Sequence, residues 1–218
     1  RRLRLSRLLF SVVLAAAPVG PADAVIFGAA AVEALDLATS EPGPAADFAG
    51  GLAYRDPRLA ALGMRVLAPR DGLAAALREA GLTEADAAAY DRHRLALGVP
   101  DGSRDLLVEK ATLLESNYDT LNAISWDKGC YLGQELTARM NYRGLVKKRL
   151  MPVAIDGPLP APGTPITRDG REIGEIRSGR DGQAIALLRL DAVQGGDVPA
   201  LVAADSTVSV RSVNAVEG

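Results

Sequence analysis

Residues 128–135 read Lys-Gly-Cys-Tyr-Leu-Gly-Gln-Glu, and Cys130 is the only cysteine in 218 residues. A thiol set between a lysine and two glycines is a candidate nucleophile or metal ligand, because the thiolate is the form that attacks and ligates. The residues that follow, 133–142, have helical character, which puts Cys130 on the turn feeding a helix N-terminus. Unpaired backbone N–H groups, the positive end of the helix dipole and the charge of Lys128 would all favour a thiolate there. Gly129 and Gly133 permit a tight turn and close approach of a ligand, while Gln134 and Glu135 fall in the first helical turn. The competing expectation is an inert, buried cysteine in a packed turn, with Glu135 compensating the dipole.

Other catalytic templates fit less well. A Cys/His dyad would need His93, the single histidine, and no spacing argues that it reaches Cys130. Within Tyr-Asp-Arg-His-Arg-Leu-Ala-Leu-Gly it reads as a partly exposed helix residue. One cysteine and one histidine are too few soft ligands for a zinc site or an iron–sulfur cluster held by this chain alone. Between Trp126 and Leu150, six basic side chains (Lys128, Arg139, Arg143, Lys147, Lys148, Arg149) stand against Asp127 and Glu135, a net +4 in a chain of net −2. Such a patch suits an anionic ligand tail, a phosphate or RNA, or else it is a solvated helix end and linker.

The elements that position these groups change character along the chain. Strands are expected at 24–27, 52–54 and 64–68, with a loop over 39–51. Helices are expected at 29–37, 73–80 and 84–97, the last opening on Thr83 as N-cap with Asp86 three residues on. The segment 106–121 is not assignable from periodicity. From Val146 onward short apolar runs at 151–155, 173–176, 184–190 and 207–213 alternate with turns at Asp156-Gly157, Asp169-Gly170 and Asp181-Gly182, the pattern of a small antiparallel barrel or sandwich. The expected division is therefore 1–144 and 145–218, with the break at 144–148.

The bulk composition bounds the rest. At 48% hydrophobic residues the chain can bury a core, and 25 basic against 27 acidic side chains give no global signal for a polyanion partner. A lone cysteine excludes an internal disulfide and favours a reducing, cytosolic or matrix-like setting. Four arginines in the first seven residues, followed by the apolar run 8–17, imitate a secretory signal. The run is too short to span a bilayer, and Pro18 after three alanines sits badly beyond a cleavage site, so the expectation is a helix end running into a buried strand.

On the element Lys128-Gly129-Cys130-Tyr131-x-Gly133-Gln134-Glu135 the chain resembles the YgfZ-type folate-binding proteins, relatives of the glycine-cleavage T-protein (aminomethyltransferase). Further stretches extend the likeness across 54–150: DPRLAALGMRVL, RHRLALGVPDG with Tyr90 ahead of it, LLESNYDTLN, ISWDKGC and ARMNYRGLVKKRL. The resemblance implies an α+β fold, with an aminomethyltransferase-like folate-binding portion, N-terminally incomplete here, followed by a small antiparallel C-terminal β-barrel. It implies tetrahydrofolate, in its polyglutamylated form as well, as cofactor and no metal held by the chain alone. Cys130 is then the functional thiol with Lys128 beside it, and Gly129, Tyr131, Gly133, Gln134, Glu135, Arg94 and Trp126 face the cofactor.

The implied role is an accessory one without classical turnover: support of iron–sulfur cluster assembly or repair, with an indirect effect on tRNA modification. Its partners would be iron–sulfur enzymes or cluster carriers, met by a monomer in the bacterial cytoplasm or mitochondrial matrix, with no membrane and with direct RNA contact open. The alternative is a tetrahydrofolate-dependent one-carbon transferase. One departure weighs against turnover: the T-protein's Arg-Leu-Glu-Ala-Gly is Arg94-Leu95-Ala96-Leu97-Gly98 here, and Ala96 brings no carboxylate to the folate nitrogen.

Overall fold

The computed structural model describes residues 11–15 (backbone only), 22–28, 35, 45–193 and 200–211. They divide into two compact units, Arg1–His93 and Arg94–Gly218. No helix among them is long and apolar enough to cross a membrane.

The first unit is built on a mixed sheet. Its strands are β1 (Ser11–Ala15), β2 (Ala22–Phe27), β3 (Ala45–Phe48), β4 (Gly51–Arg55), β5 (Met64–Ala68) and β6 (Thr83–Glu84), in the order β3-β4-β5-β2-β1-β6. Side chains alternate across β5, so Met64, Val66 and Ala68 are buried while Leu67 is exposed. That inner face joins Ala24 and Ile26 of β2 with Leu73 and Leu77 of α1 (Leu73–Glu79) in one core cluster. On the same strand Arg65 bridges two acids, its Nη1 2.9 Å from Asp23 and its Nε 3.1 Å from Asp56.

Three expectations shift in this unit. The loop expected over 39–51 contains β3, which pairs with β4 across Ala49 and Gly50. Thr83 does not cap the next helix; it pairs with Ser11 in β6, and α2 begins later, at Ala87–Ala96. Asp86 takes over as cap, its Oδ1 accepting the Ala89 N–H at 2.7 Å. The expected helix at 29–37, Leu35 apart, and the one at the start of the chain lie outside the described residues. The expected strand after that start is present as β1.

The second unit holds α3 (Gly102–Asp105), α4 (Gln134–Tyr142), α5 (Leu190–Val193) and a closed antiparallel barrel. Its strands are β7 (Lys148–Asp156), β8 (Pro165–Arg168), β9 (Arg171–Arg180), β10 (Gln183–Arg189), β11 (Leu201–Ala203) and β12 (Ser206–Val210), closed in the order β10-β7-β12-β11-β8-β9. Two of the three expected turns close hairpins, β8–β9 at Asp169-Gly170 and β9–β10 at Asp181-Gly182, and all four residues have positive φ, as a two-residue hairpin turn requires. Asp156-Gly157 is different: β7 pairs with β10 and β12, so that turn leads into a connection, not a hairpin. The third hairpin, β11–β12, turns on Ala204 and Asp205.

Candidate functional site

The cysteine loop belongs to the second unit. Gly133 stands as N-cap of α4 with φ 86°, a left-handed conformation that a Cβ disfavours. Cys130 therefore precedes the cap by three residues and lies outside α4 itself. The helix fixes the loop by hydrogen bonds. The Tyr131 N–H donates to Gln134 Oε1 at 3.0 Å, and the Gln134 N–H donates to the Tyr131 carbonyl at 3.3 Å. Thr137, buried on α4, donates both its N–H (3.3 Å) and its hydroxyl (3.2 Å) to the Gly133 carbonyl. Held this way, Cys130 is unpaired and exposed, contrary to the packed-turn alternative.

Beside it opens a cleft of about 380 Å³ lined by Ser125, Trp126, Lys128, Tyr131, Gln134, Glu135, Ala138 and Tyr142. The Lys128 Nζ lies 4.7 Å above the centre of the Tyr131 ring, a cation–π contact that spends the lysine on the aromatic wall. Of the residues expected to face a cofactor, Trp126, Tyr131, Gln134 and Glu135 are brought together here, with Lys128. Gly129 and Gly133 lie in the same loop. A Cβ at Gly129 would meet no atom within 4 Å, and Gly129 has no positive φ, so the chain's own packing does not require glycine there.

Arg94 does not join this cleft. Its Nη1 donates to Asp105 Oδ2 at 2.7 Å and to the Val99 carbonyl at 3.2 Å, and its Nη2 donates to Ser178 Oγ at 2.6 Å. Asp105 also accepts from the backbone N–H groups of Asp101 (2.7 Å) and Ser178 (2.8 Å). All three side chains are buried, so Arg94 is a structural ion pair tying α3 to β9.

The basic run divides as well. Arg149 is spent on Asp119, with two contacts of 2.8 and 2.6 Å. Burial pushes the Asp119 carboxyl up, but the hydrogen bonds and charge of Arg149 outweigh it and hold the group below the usual carboxylate range. Arg139, Arg143, Lys147 and Lys148 are exposed. So are Leu132, Leu136, Tyr142 and Leu145, which leaves apolar surface on the segment that follows the thiol.

In the first unit His93 is half-buried, its Nε2–H donating to the Ala61 carbonyl at 2.9 Å and its ring 5.1 Å from Phe27. Among the described residues no group of three or more His, Cys, Asp or Glu side chains is placed to hold a metal ion. Sequence reasoning missed Ala138 and Tyr142 as cleft walls. Their signal was spacing, since Gln134, Ala138 and Tyr142 recur at i, i+4 and i+8 on one helix face.

Residues 147–216 match the family model described as CAF17, C-terminal beta-barrel domain. The chain is similar to the mouse (Mus musculus) iron-sulfur cluster assembly factor IBA57, mitochondrial, with 40% identity over 72% of this chain and 45% of that protein. Against the human (Homo sapiens) protein of the same name the identity is 40%, over 67% of this chain and 42% of that one. A Pyricularia oryzae homologue so named is 36% identical over 67% and 43%. The chain thus spans less than half the length of these relatives. Among solved structures, the glycine cleavage system aminomethyltransferase T of Bartonella henselae superposes with a TM-score of 0.64 over 88% of this chain and 59% of that one, at 16% identity. The fold is accordingly aminomethyltransferase-like, with a closed antiparallel barrel at its C-terminal end.

Proposed function

We propose that this chain is part of an iron–sulfur cluster assembly factor of the IBA57 kind, in which Cys130 is the contact thiol for a cluster or for the protein that carries it. One observation carries the assignment: the chain's single cysteine is exposed, on a loop clasped to α4, and exposed apolar side chains follow it in the chain at Leu132 and Leu136. Similarity to relatives named as cluster assembly factors supplies the cargo. The cluster is cargo because one thiolate is too few ligands, so the remaining ones come from the partner. The compartment is a reducing one, the mitochondrion of the relatives' names, in its matrix, or a bacterial cytoplasm, and the effect on tRNA modification is indirect, through cluster-dependent enzymes. Residues 145–218 supply the barrel portion of the larger second unit, Arg94–Gly218.

Tetrahydrofolate fits the cleft in part. Trp126, Tyr131 and Tyr142 give flat faces and Glu135 a polar edge, while Gln134 Oε1 is engaged by the Tyr131 N–H and Arg94 is committed elsewhere. When bound there, the folate would be held by Trp126, Tyr131 and Tyr142. Aminomethyl transfer is the weaker second reading, favoured by the fold and disfavoured by Ala96.

The test replaces Cys130 with Ser in cells and follows cluster-dependent enzymes. The expected result is a loss of their activity with an unchanged melting temperature; full activity would overturn the assignment. Saturable tetrahydrofolate binding that weakens in Trp126→Ala supports the cofactor, and its absence removes it. RNA contact by Lys147 and Lys148 is checked by salt titration at low ionic strength, where no binding ends it.

A further inference from the structure

A second cavity of the second unit, of about 230 Å³, shares no lining residue with the cleft beside the thiol. It lies against β7, β9 and β10 on one side and residues 105–116 on the other. Leu106, Leu150 and Leu187 make its apolar wall, and they pack with the buried side chains of Leu95 and Ile185. Into this wall is set a cation: Arg177 is 7% exposed, its Nη2 holding Glu175 Oε1 at 2.7 Å while its Nε is buried with no hydrogen-bond partner. Leaving a buried guanidinium N–H without an acceptor is costly, so this arginine keeps unmet hydrogen-bonding capacity beside the cavity.

The charges around the cavity leave an excess of one positive charge. Asp105 is neutralised by Arg94 and Glu175 by Arg177. Lys110 and Lys148 line the cavity, are exposed and make no ion pair among the described residues. Against them stands Glu115, whose Oε2 accepts the Thr112 hydroxyl at 2.9 Å.

We infer that this cavity binds a small organic or inorganic oxyanion, with its oxygens toward Arg177 and the two lysines and any short apolar body against the three leucines. The volume lies below the roughly 300–1,000 Å³ that holds drug-sized ligands, so the occupant is smaller than a folate. Carboxylate and phosphate are the two sources of such oxygens. The site does not depend on Cys130 and stands or falls apart from the cluster assignment.

Hexanoate and inorganic phosphate, titrated separately into the isotope-labelled full chain, test it. Saturable shifts of the Leu106, Leu150 and Leu187 methyl signals are expected with at least one of the two; hexanoate alone assigns a carboxylate ligand, phosphate alone a phosphate. Lys110→Ala with Lys148→Ala should weaken binding about fivefold or more without unfolding, and Cys130→Ser should leave it unchanged. Arg177→Gln should abolish it if the variant folds, and the lysine pair keeps the test valid if it does not. No saturable shift with either anion, or shifts indifferent to the lysines, overturns the site.

Discussion

Tyr131 and Gln134 hold each other by two reciprocal hydrogen bonds, side-chain oxygen to backbone N–H at 3.0 Å and backbone N–H to carbonyl at 3.3 Å. The glutamine expected to contact a cofactor thus spends its oxygen on fixing the residue next to the thiol. Gln134→Ala should raise the hydrogen-exchange rate of the Tyr131 amide and cost about 0.5–1.5 kcal/mol of local stability, leaving the barrel amides unchanged. An unaltered Tyr131 amide would show that the clasp does not hold the loop.

The two glycines of the loop should separate on substitution. Gly133→Ala forces a Cβ into a left-handed backbone and should cost about 1–2 kcal/mol in urea unfolding. Gly129→Ala meets open space, so its stability should change by no more than about 0.5 kcal/mol. If Gly129→Ala nonetheless lowers cluster-dependent activity, the glycine serves the approach of a partner. Equal stability losses in both variants would contradict this division.

Arg94→Ala tests the buried pair directly. Removing one partner strands the Asp105 carboxylate away from water and should cost about 3–5 kcal/mol. A variant that unfolds at wild-type urea concentration would return Arg94 to the candidates for ligand contact.

The pH response should carry a signature of His93. Burial holds its imidazole below the usual histidine range, against a smaller opposing effect of the Ala61 hydrogen bond. With the folded pKa depressed, the unfolded chain binds the proton first. The stability from this group is therefore full above about pH 6.5 and declines as pH falls through the folded value. Asp56 acts in a separate window. Burial raises its carboxyl, but Arg58 and Arg65 outweigh this and hold it low, so its contribution is lost only below about pH 4. Thermal melts between pH 8 and pH 5 should show a decline that His93→Gln removes; a variant declining as the wild type does would assign it to other groups.

The barrel was legible wherever turn chemistry is local. Asp-Gly pairs announce two hairpins because both residues accept positive φ, whereas Ala204 turns β11 into β12 at φ 51° with no such signature. Thr83 looked like a cap because Asp86 follows three residues later, but pairing with Ser11, 72 positions away, claims it for a strand. In the loop, glycine spacing pointed to the thiol and helix spacing could have pointed to Tyr142. The fate of Arg94 was hidden for another reason: Ser178 lies 84 residues away, and only the fold brings them together.

Closure of the barrel has a consequence for how this unit meets other molecules. In the ring β10-β7-β12-β11-β8-β9 every strand has a neighbour on both sides, β8 and β11 meeting at the single pair Thr167–Val202, so among the described residues the ring has no free edge strand. A second chain cannot extend it by adding a strand, nor can copies polymerise through it edge to edge. Whatever docks on this unit must be read by side chains and loops, whose identities point mutations can change one at a time without unpicking a ladder.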